Sequence, residues 1–157
     1  MIRAAEPADR PALEAFLARH NSLQVARLGR LEAPLDHPAL LAIEDGRIAA
    51  VLTYLVGGEA CEVLTLHAET QWRGLGTALL EEVRRLAARA GCSRLWLITT
   101  NDNVDALRFY QRRGFRLAAL HAGAVDDSRA QLKPEIPPLG AYGIPLRDEL
   151  ELVLQLS

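Results

Sequence analysis

The sequence predicts an α/β (α+β) fold: a mixed, mostly antiparallel central sheet of six to seven strands with helices on both faces. Three observations carry this. Residues 39 to 67 hold three strand-like runs separated by Asp45-Gly46 and Gly57-Gly58. Such pairs suit tight hairpin turns, so the stretch reads as an antiparallel meander. A strongly amphipathic helix follows, and then the unbroken apolar run Leu95-Trp96-Leu97-Ile98. A strand of that kind is covered on both faces, and strand, helix, strand implies a right-handed crossover with parallel pairing. Alternation returns at Glu149 to Leu156, which gives a last strand. The 157 residues suit one domain, 1–157. A chain of this size buries roughly 68–70% of its unfolded surface and needs no disulfide or metal staple.

The elements follow in order. Ile2 to Ala5 is a short strand. Pro7-Ala8-Asp9 opens a helix with Leu13, Phe16 and Leu17 at helical spacing. Val25, Leu28 and Leu31 suggest one or two helical turns before Pro34 stops them. The meander strands run over 39–43, 48–56 and 59–66. On the third, simple alternation puts Glu62, Leu64 and Leu66 on one face. The helix from about Gly74 carries the stripe Leu75, Leu79, Val83, Leu86, Ala87 and Ala90, with charges opposite and Gly91 as C-terminal stop. Asn101-Asp102-Asn103 offers N-caps for a second helix over 104–112, ended by Gly114. A strand over 115–120 comes next. Residues 122–148, rich in Pro and Gly, read as irregular, the kind of long segment that serves as a lid or binding loop.

Composition narrows the function. A net charge of −2 gives no reason to expect a nucleic-acid partner. The N-terminus lacks an apolar signal core and no apolar run approaches membrane length, so the expectation is a cytoplasmic protein without a membrane partner. Cys61 and Cys92 read as buried free thiols. His67 and His121 have no partners at metal-ligand spacing, so no metal is expected.

The informative stretch is the turn between Leu66 and the long helix. Glycines let a ligand approach the backbone, and the first helical amides point outward at the positive end of the dipole. Together they make a phosphate cradle. A Walker loop needs Gly-Lys-Ser/Thr, and the chain's one lysine is Lys133. A dinucleotide fingerprint needs Gly or Ala where Leu79 stands. What fits is Gln71-Trp72-Arg73-Gly74-Leu75-Gly76, which resembles the acetyl-coenzyme-A loop of the GCN5-related N-acetyltransferases (GNAT superfamily). A second motif, Asn103-x-x-Ala106-x-x-x-Tyr110 followed by Gly114-Phe115, is similar to that family's other hallmark and comes in the right order. The chain departs from the pattern at Trp72, often Gly in the family, and at Ala68, often Pro. The Pro-rich tail resembles that of a bacterial GNAT subset whose substrate is not settled.

The resemblance covers the whole chain and implies a GNAT fold with acetyl-CoA as co-substrate. By the same resemblance, the backbone of Gln71, Trp72, Arg73, Gly74, Leu75, Gly76 and Thr77 holds the pyrophosphate, with Arg73 adding charge. Leu66 and Asn103 border the pantetheine arm, and Tyr110 lies near the thioester sulfur. Glu62 is the candidate general base; a structural glutamate bonded to a neighbouring strand is the other reading, and the sequence leaves both open. The implied reaction moves acetyl to a primary amine of a small molecule, or of a peptide or protein, by direct attack; a homodimer is compatible with it. The alternative is a CoA-binding regulatory module without turnover.

Overall fold

The computed structural model describes residues 1–70 and 73–156. Its elements are β1 (Ile2–Ala4), α1 (Arg10–Arg19), β2 (Val25–Arg27), β3 (Arg30–Glu32), β4 (Ala39–Glu44), β5 (Arg47–Gly57), β6 (Ala60–Ala68), α2 (Leu75–Arg89), β7 (Arg94–Thr100), α3 (Val104–Arg112), β8 (Arg116–His121), α4 (Ala124–Gln131) and β9 (Glu149–Gln155). Among the described residues the class is mixed α/β, with seven main sheet strands, mostly antiparallel, and four α-helices, as expected. The chain forms two compact units, one of residues 1–25, 33–95 and 156, the other of 26–32 and 96–155.

In the first unit the strands lie in the order β1-β4-β5-β6, each pair antiparallel. Asp45 and Gly46 both take positive φ, 53° and 74°, as the predicted two-residue hairpin requires. Val51 and Leu52 point to opposite faces of β5 and neither is exposed, so both faces are covered. Helix α1 covers one: Leu13, Phe16 and Leu17 pack with Ala39, Leu41 and Val51. Cutting a side chain such as Leu17 to Ala costs about 2–5 kcal/mol in a core of this kind. Helix α2, which buries Leu79, Leu80, Val83 and Ala87, also packs on β4, β5 and β6. With the Val51 face occupied, it serves the Leu52 side.

The meander contains a feature that alternation does not reveal. Thr53 opposes Thr65, but its neighbour Tyr54 opposes Val63, so Leu64 is an extra residue on β6. A β-bulge of this sort shifts side-chain parity along the strand. Leu66 pairs with Leu52, whereas Glu62 pairs with Leu55. Leu52 and Leu55 face opposite ways on β5, so Glu62 and Leu66 do too. The expected common face for Glu62, Leu64 and Leu66 is therefore wrong. Glu62 belongs to the α1 face, with Val51, Thr53, Thr65 and His67.

In the second unit the strand order is β7-β9-β8, and β8 pairs with β9 antiparallel. Helix α3 has the bounds expected of it. Asn103 is its N-cap, with Oδ1 accepting from the Ala106 amide at 3.2 Å. Two expectations fail. Instead of helical turns, residues 25–32 form the β2–β3 hairpin, turning on Leu28 and Gly29 at φ 50° and 74°. Leucine in a left-handed conformation costs roughly 1–2 kcal/mol. The Leu28 amide donates to Glu149 Oε1 at 2.9 Å, which helps to hold it there. The second failure lies in the supposedly irregular 122–148, where α4 forms. Its Arg129 donates to the carbonyls of Ile136, Pro137 and Leu146 at 2.9, 2.9 and 2.7 Å and pairs with Asp126 at 2.9 Å. The Pro-rich segment is thus organised around one guanidinium.

Candidate functional site

The cradle lies wholly in the first unit. Gly74 is the N-cap of α2 at φ 79°, a left-handed conformation that suits glycine, and no side chain caps the helix. The Ala78 amide bonds back to the Gly74 carbonyl at 3.0 Å. Helix geometry leaves the amides of Leu75 and Gly76 without intrahelical acceptors. Among the described residues nothing comes within 4 Å of the position a Gly74 side chain would take. Leu75, Gly76 and Thr77 form the first turn, half-buried. Gln71 and Trp72 lie outside the described residues. Leu66 is half-buried near the C-terminal end of β6.

Arg73 is placed beside the cradle but is engaged. Its guanidinium meets both oxygens of Glu44, at 2.9 and 3.0 Å. Its charge is offset by a carboxylate there, so the amides and the dipole are the main anion-seeking groups of the turn. Glu44, Arg73 and Leu75, with Glu69 and the β4–β5 turn, line a cavity of about 370 Å³.

The α1 face of β6 is unusually polar for a covered surface. Glu62 is 1% exposed. The buried hydroxyls of Thr53 and Thr65 lie 2.6 Å apart. Beyond them, His67 Nε2 lies 2.7 Å from Ser22 Oγ, and the His67 ring stacks on His20 with centroids 4.9 Å apart. His20 Nε2 is buried without a hydrogen-bond partner, 3.9 Å from Glu69 Oε2. Glu69 also holds Arg19 at 2.6 Å and opens to solvent. Residue spacing gave no hint of this group, because Ser22 and His20 reach His67 only through tertiary packing.

Burial, and next the charge on His20, lower the His67 pKa from 6.5 to about 4. The folded protein therefore binds this proton less readily than the unfolded chain. The contribution is fully present above pH 6.5 and is lost as pH falls towards 4. A change of that size corresponds to roughly 3 kcal/mol. Replacing His67 by Gln is expected to remove that share of acid destabilisation. Denaturant titrations at pH 7 and pH 4 check this; equal pH sensitivity in both proteins would contradict it.

Burial also pushes the Cys61 thiol up to about 12. It stays protonated and is a poor nucleophile at neutral pH.

In the second unit, Tyr110 is buried on α3, its ring edge-on to Phe109 and Phe115 at 5.2 and 5.3 Å between centroids. Burial raises its pKa, so the phenol keeps its proton and remains a donor. The Oδ1 of Asn103 is committed to the helix cap, which leaves its amide nitrogen as the donor end. Glu149, the first residue of β9, is 1% exposed. Burial raises its pKa, opposed by the Leu28 amide. No group of three or more His, Cys, Asp or Glu residues fit for a metal occurs among the described residues. None of their helices is long and apolar enough to cross a membrane.

Comparison with known proteins gives the family of the chain. The model of the Acetyltransferase (GNAT) family matches residues 6–115. The chain is 47% identical over 107 residues to the uncharacterized protein YdhI of Bacillus subtilis, covering 68% of this chain and 66% of YdhI. It is 38% identical over 96 residues to mycothiol acetyltransferase of Clavibacter michiganensis, covering 58% of this chain but only 31% of that protein. Among solved structures, a GNAT family acetyltransferase from Elizabethkingia anophelis with acetyl-CoA bound superposes with a TM-score of 0.71 at 19% identity, covering 99% of this chain and 97% of the other.

Proposed function

We propose that this chain, which belongs to the Acetyltransferase (GNAT) family, transfers acetyl from acetyl-CoA to a primary amine of a small molecule, by direct attack in a ternary complex. The observation that carries the reading is the uncapped first turn of α2, entered through a left-handed glycine after β6. It offers amides and a dipole to a diphosphate, and among the described residues no side chain caps it. The structural likeness to a protein that binds acetyl-CoA supports the choice of donor.

The roles follow from the chemistry. At neutral pH an alkylamine, with pKa near ~10.4, is protonated and cannot attack. Glu62 takes one proton. The amine nitrogen then forms its bond to the acetyl carbon, polarised by the backbone near Leu66, and the carbon–sulfur bond breaks. The phenol of Tyr110 protonates the departing thiolate and is restored by the second nitrogen proton. Asn103 steadies the pantetheine arm. A covalent acyl-enzyme is unnecessary, and the high pKa of Cys61 argues against one at that thiol.

Thiol release from acetyl-CoA, measured across alkylamines, amino acids, aminoglycosides and peptide N-termini, tests the reading. Turnover with a small amine is expected. Tight acetyl-CoA binding with no turnover on any amine would instead favour a regulatory module. Tyr110→Phe is expected to lower kcat at least ~10-fold with little change in KM for acetyl-CoA, the loss expected for a proton-transfer group. Equal kcat would reduce Tyr110 to packing.

A further inference from the structure

CoA and acetyl-CoA carry the same diphosphate. A grip on it holds the product as firmly as the donor, and binding that is equal in ground and transition states adds nothing to kcat. One carboxylate beside the cradle can temper that grip. Resting on the reading of α2 as a diphosphate cradle, we propose that Glu44 is a positioning residue for coenzyme exchange. It holds Arg73 in the free protein, yields it to the diphosphate as the coenzyme binds, and takes it back as CoA leaves.

The placement suits this. Glu44 ends β4, and Arg73 directly precedes Gly74, the N-cap of α2. The guanidinium is therefore rooted one residue before the turn that carries the cradle amides. It meets the two oxygens of Glu44 at 2.9 and 3.0 Å. The planar fork of an arginine matches carboxylate and phosphate alike. Arg73 can serve either anion in this way, and its two paired nitrogens serve one at a time.

The pair is also easy to break. The side chains of Arg73 and Glu44 are 54% and 33% exposed, and ion pairs in that setting have a small net worth. Both line the cavity of about 370 Å³ beside the turn, so the guanidinium has room to swing. A diphosphate brings full negative charge and takes charge-assisted hydrogen bonds, which lets it compete with a carboxylate. Glu44 is not stranded when Arg73 leaves. Arg47 stands opposite it in the β4–β5 register, the first pair outside the hairpin turn, and opposite charges across two strands attract. The other acids of the cavity stand apart from the exchange. Glu69 holds Arg19 at 2.6 Å, and Asp45 sits in the left-handed hairpin turn. No covalent bond changes in these steps; one guanidinium moves between two anions.

A double-mutant cycle tests the exchange. CoA affinity is measured by calorimetric titration for the wild type, Glu44→Gln, Arg73→Gln and the protein carrying both. Both side chains reach solvent, and thermal melts check that all four proteins are folded. Glu44→Gln should bind CoA ~5-fold more tightly, the upper range for an exposed ion pair that no longer has to be broken. Its CoA should also leave correspondingly more slowly in stopped-flow displacement. Arg73→Gln should cost about twofold in the wild-type background but at least ~10-fold in the Glu44→Gln background, the non-additivity expected of two residues in contact. A glutamate that merely braced the turn would give the opposite sign, with weaker CoA binding in Glu44→Gln. Weaker or unchanged binding in that variant, or equal costs of Arg73→Gln in both backgrounds, would overturn the exchange. Gly76→Leu is measured alongside: if it binds CoA as the wild type does, the cradle reading itself has failed. If it loses CoA while the cycle is additive, the exchange alone has failed.

Discussion

Glu62→Gln is expected to lower kcat by about 10²–10⁴-fold while KM for acetyl-CoA stays within about twofold, the range that proton abstraction by a placed base accounts for. Gln has nearly the same shape, so the packing of the β6 face survives. What it loses is the ability to take a proton from the arriving ammonium. The cradle at Gly74 to Thr77 is untouched, which is why donor binding should hold. The deficit should shrink as pH rises towards the amine's own pKa, near ~10.4, because the acceptor then arrives neutral. Steady-state rates between pH 6 and 9.5 check both parts. If kcat is unchanged, Glu62 is a structural glutamate on a covered face, and its burial has another explanation.

Gly76→Leu is expected to weaken acetyl-CoA binding ~100-fold or more, about 2.7 kcal/mol, while the fold is at least as stable. Gly76 sits in the first turn of α2. Within a helix, leucine is favoured over glycine by most of the roughly 0.8–1.0 kcal/mol that separates Gly from Ala, so Tm should not fall. Binding should fail because a side chain occupies the space where backbone amides meet the diphosphate. A gain in stability with a loss of binding separates this from simple unfolding. Gly74→Ala is the milder companion. Among the described residues its position is open within 4 Å, but it is left-handed at φ 79°, so the expected cost is about 1–2 kcal/mol of backbone strain with a few-fold change in affinity. Calorimetric titration and thermal melts of the three proteins decide the matter; wild-type affinity in Gly76→Leu would mislocate the loop.

The strongly patterned elements were legible. Helix α3 falls on 104–112 because Asn103 caps it and its tyrosine faces inward. The Asp45-Gly46 hairpin forms because both residues accept positive φ. What escaped was decided by contacts between distant residues. The hairpin at 25–32 turns on Leu28, a residue that local preference keeps out of left-handed turns; Glu149, 121 residues away, binds its amide. Helix α4 has little apolar periodicity. Of its residues, Val125 and Ser128 are buried, and Arg129 ties the following loop to it.

The bulge at Leu64 matters most for function. Nothing in Glu62-Val63-Leu64-Thr65-Leu66 announces an extra residue, yet it turns Glu62 away from Leu66 and onto the face of His67. The candidate base could be named from sequence, but its neighbours could not. Glycines and the Asn-Tyr spacing were readable because they are local in the chain. The contacts of His67 with Ser22 and His20 were not, because those two residues arrive from the end of α1 and the loop after it.

The central claim is that main-chain amides at the start of α2 grip the diphosphate of CoA. Following the backbone amide resonances of the uniformly ¹⁵N-labelled protein during titration with acetyl-CoA tests it most directly. Saturable shifts largest at Leu75, Gly76 and Thr77, absent when pantetheine replaces the coenzyme, are the predicted result. Saturable binding that leaves those three resonances in place would contradict the account.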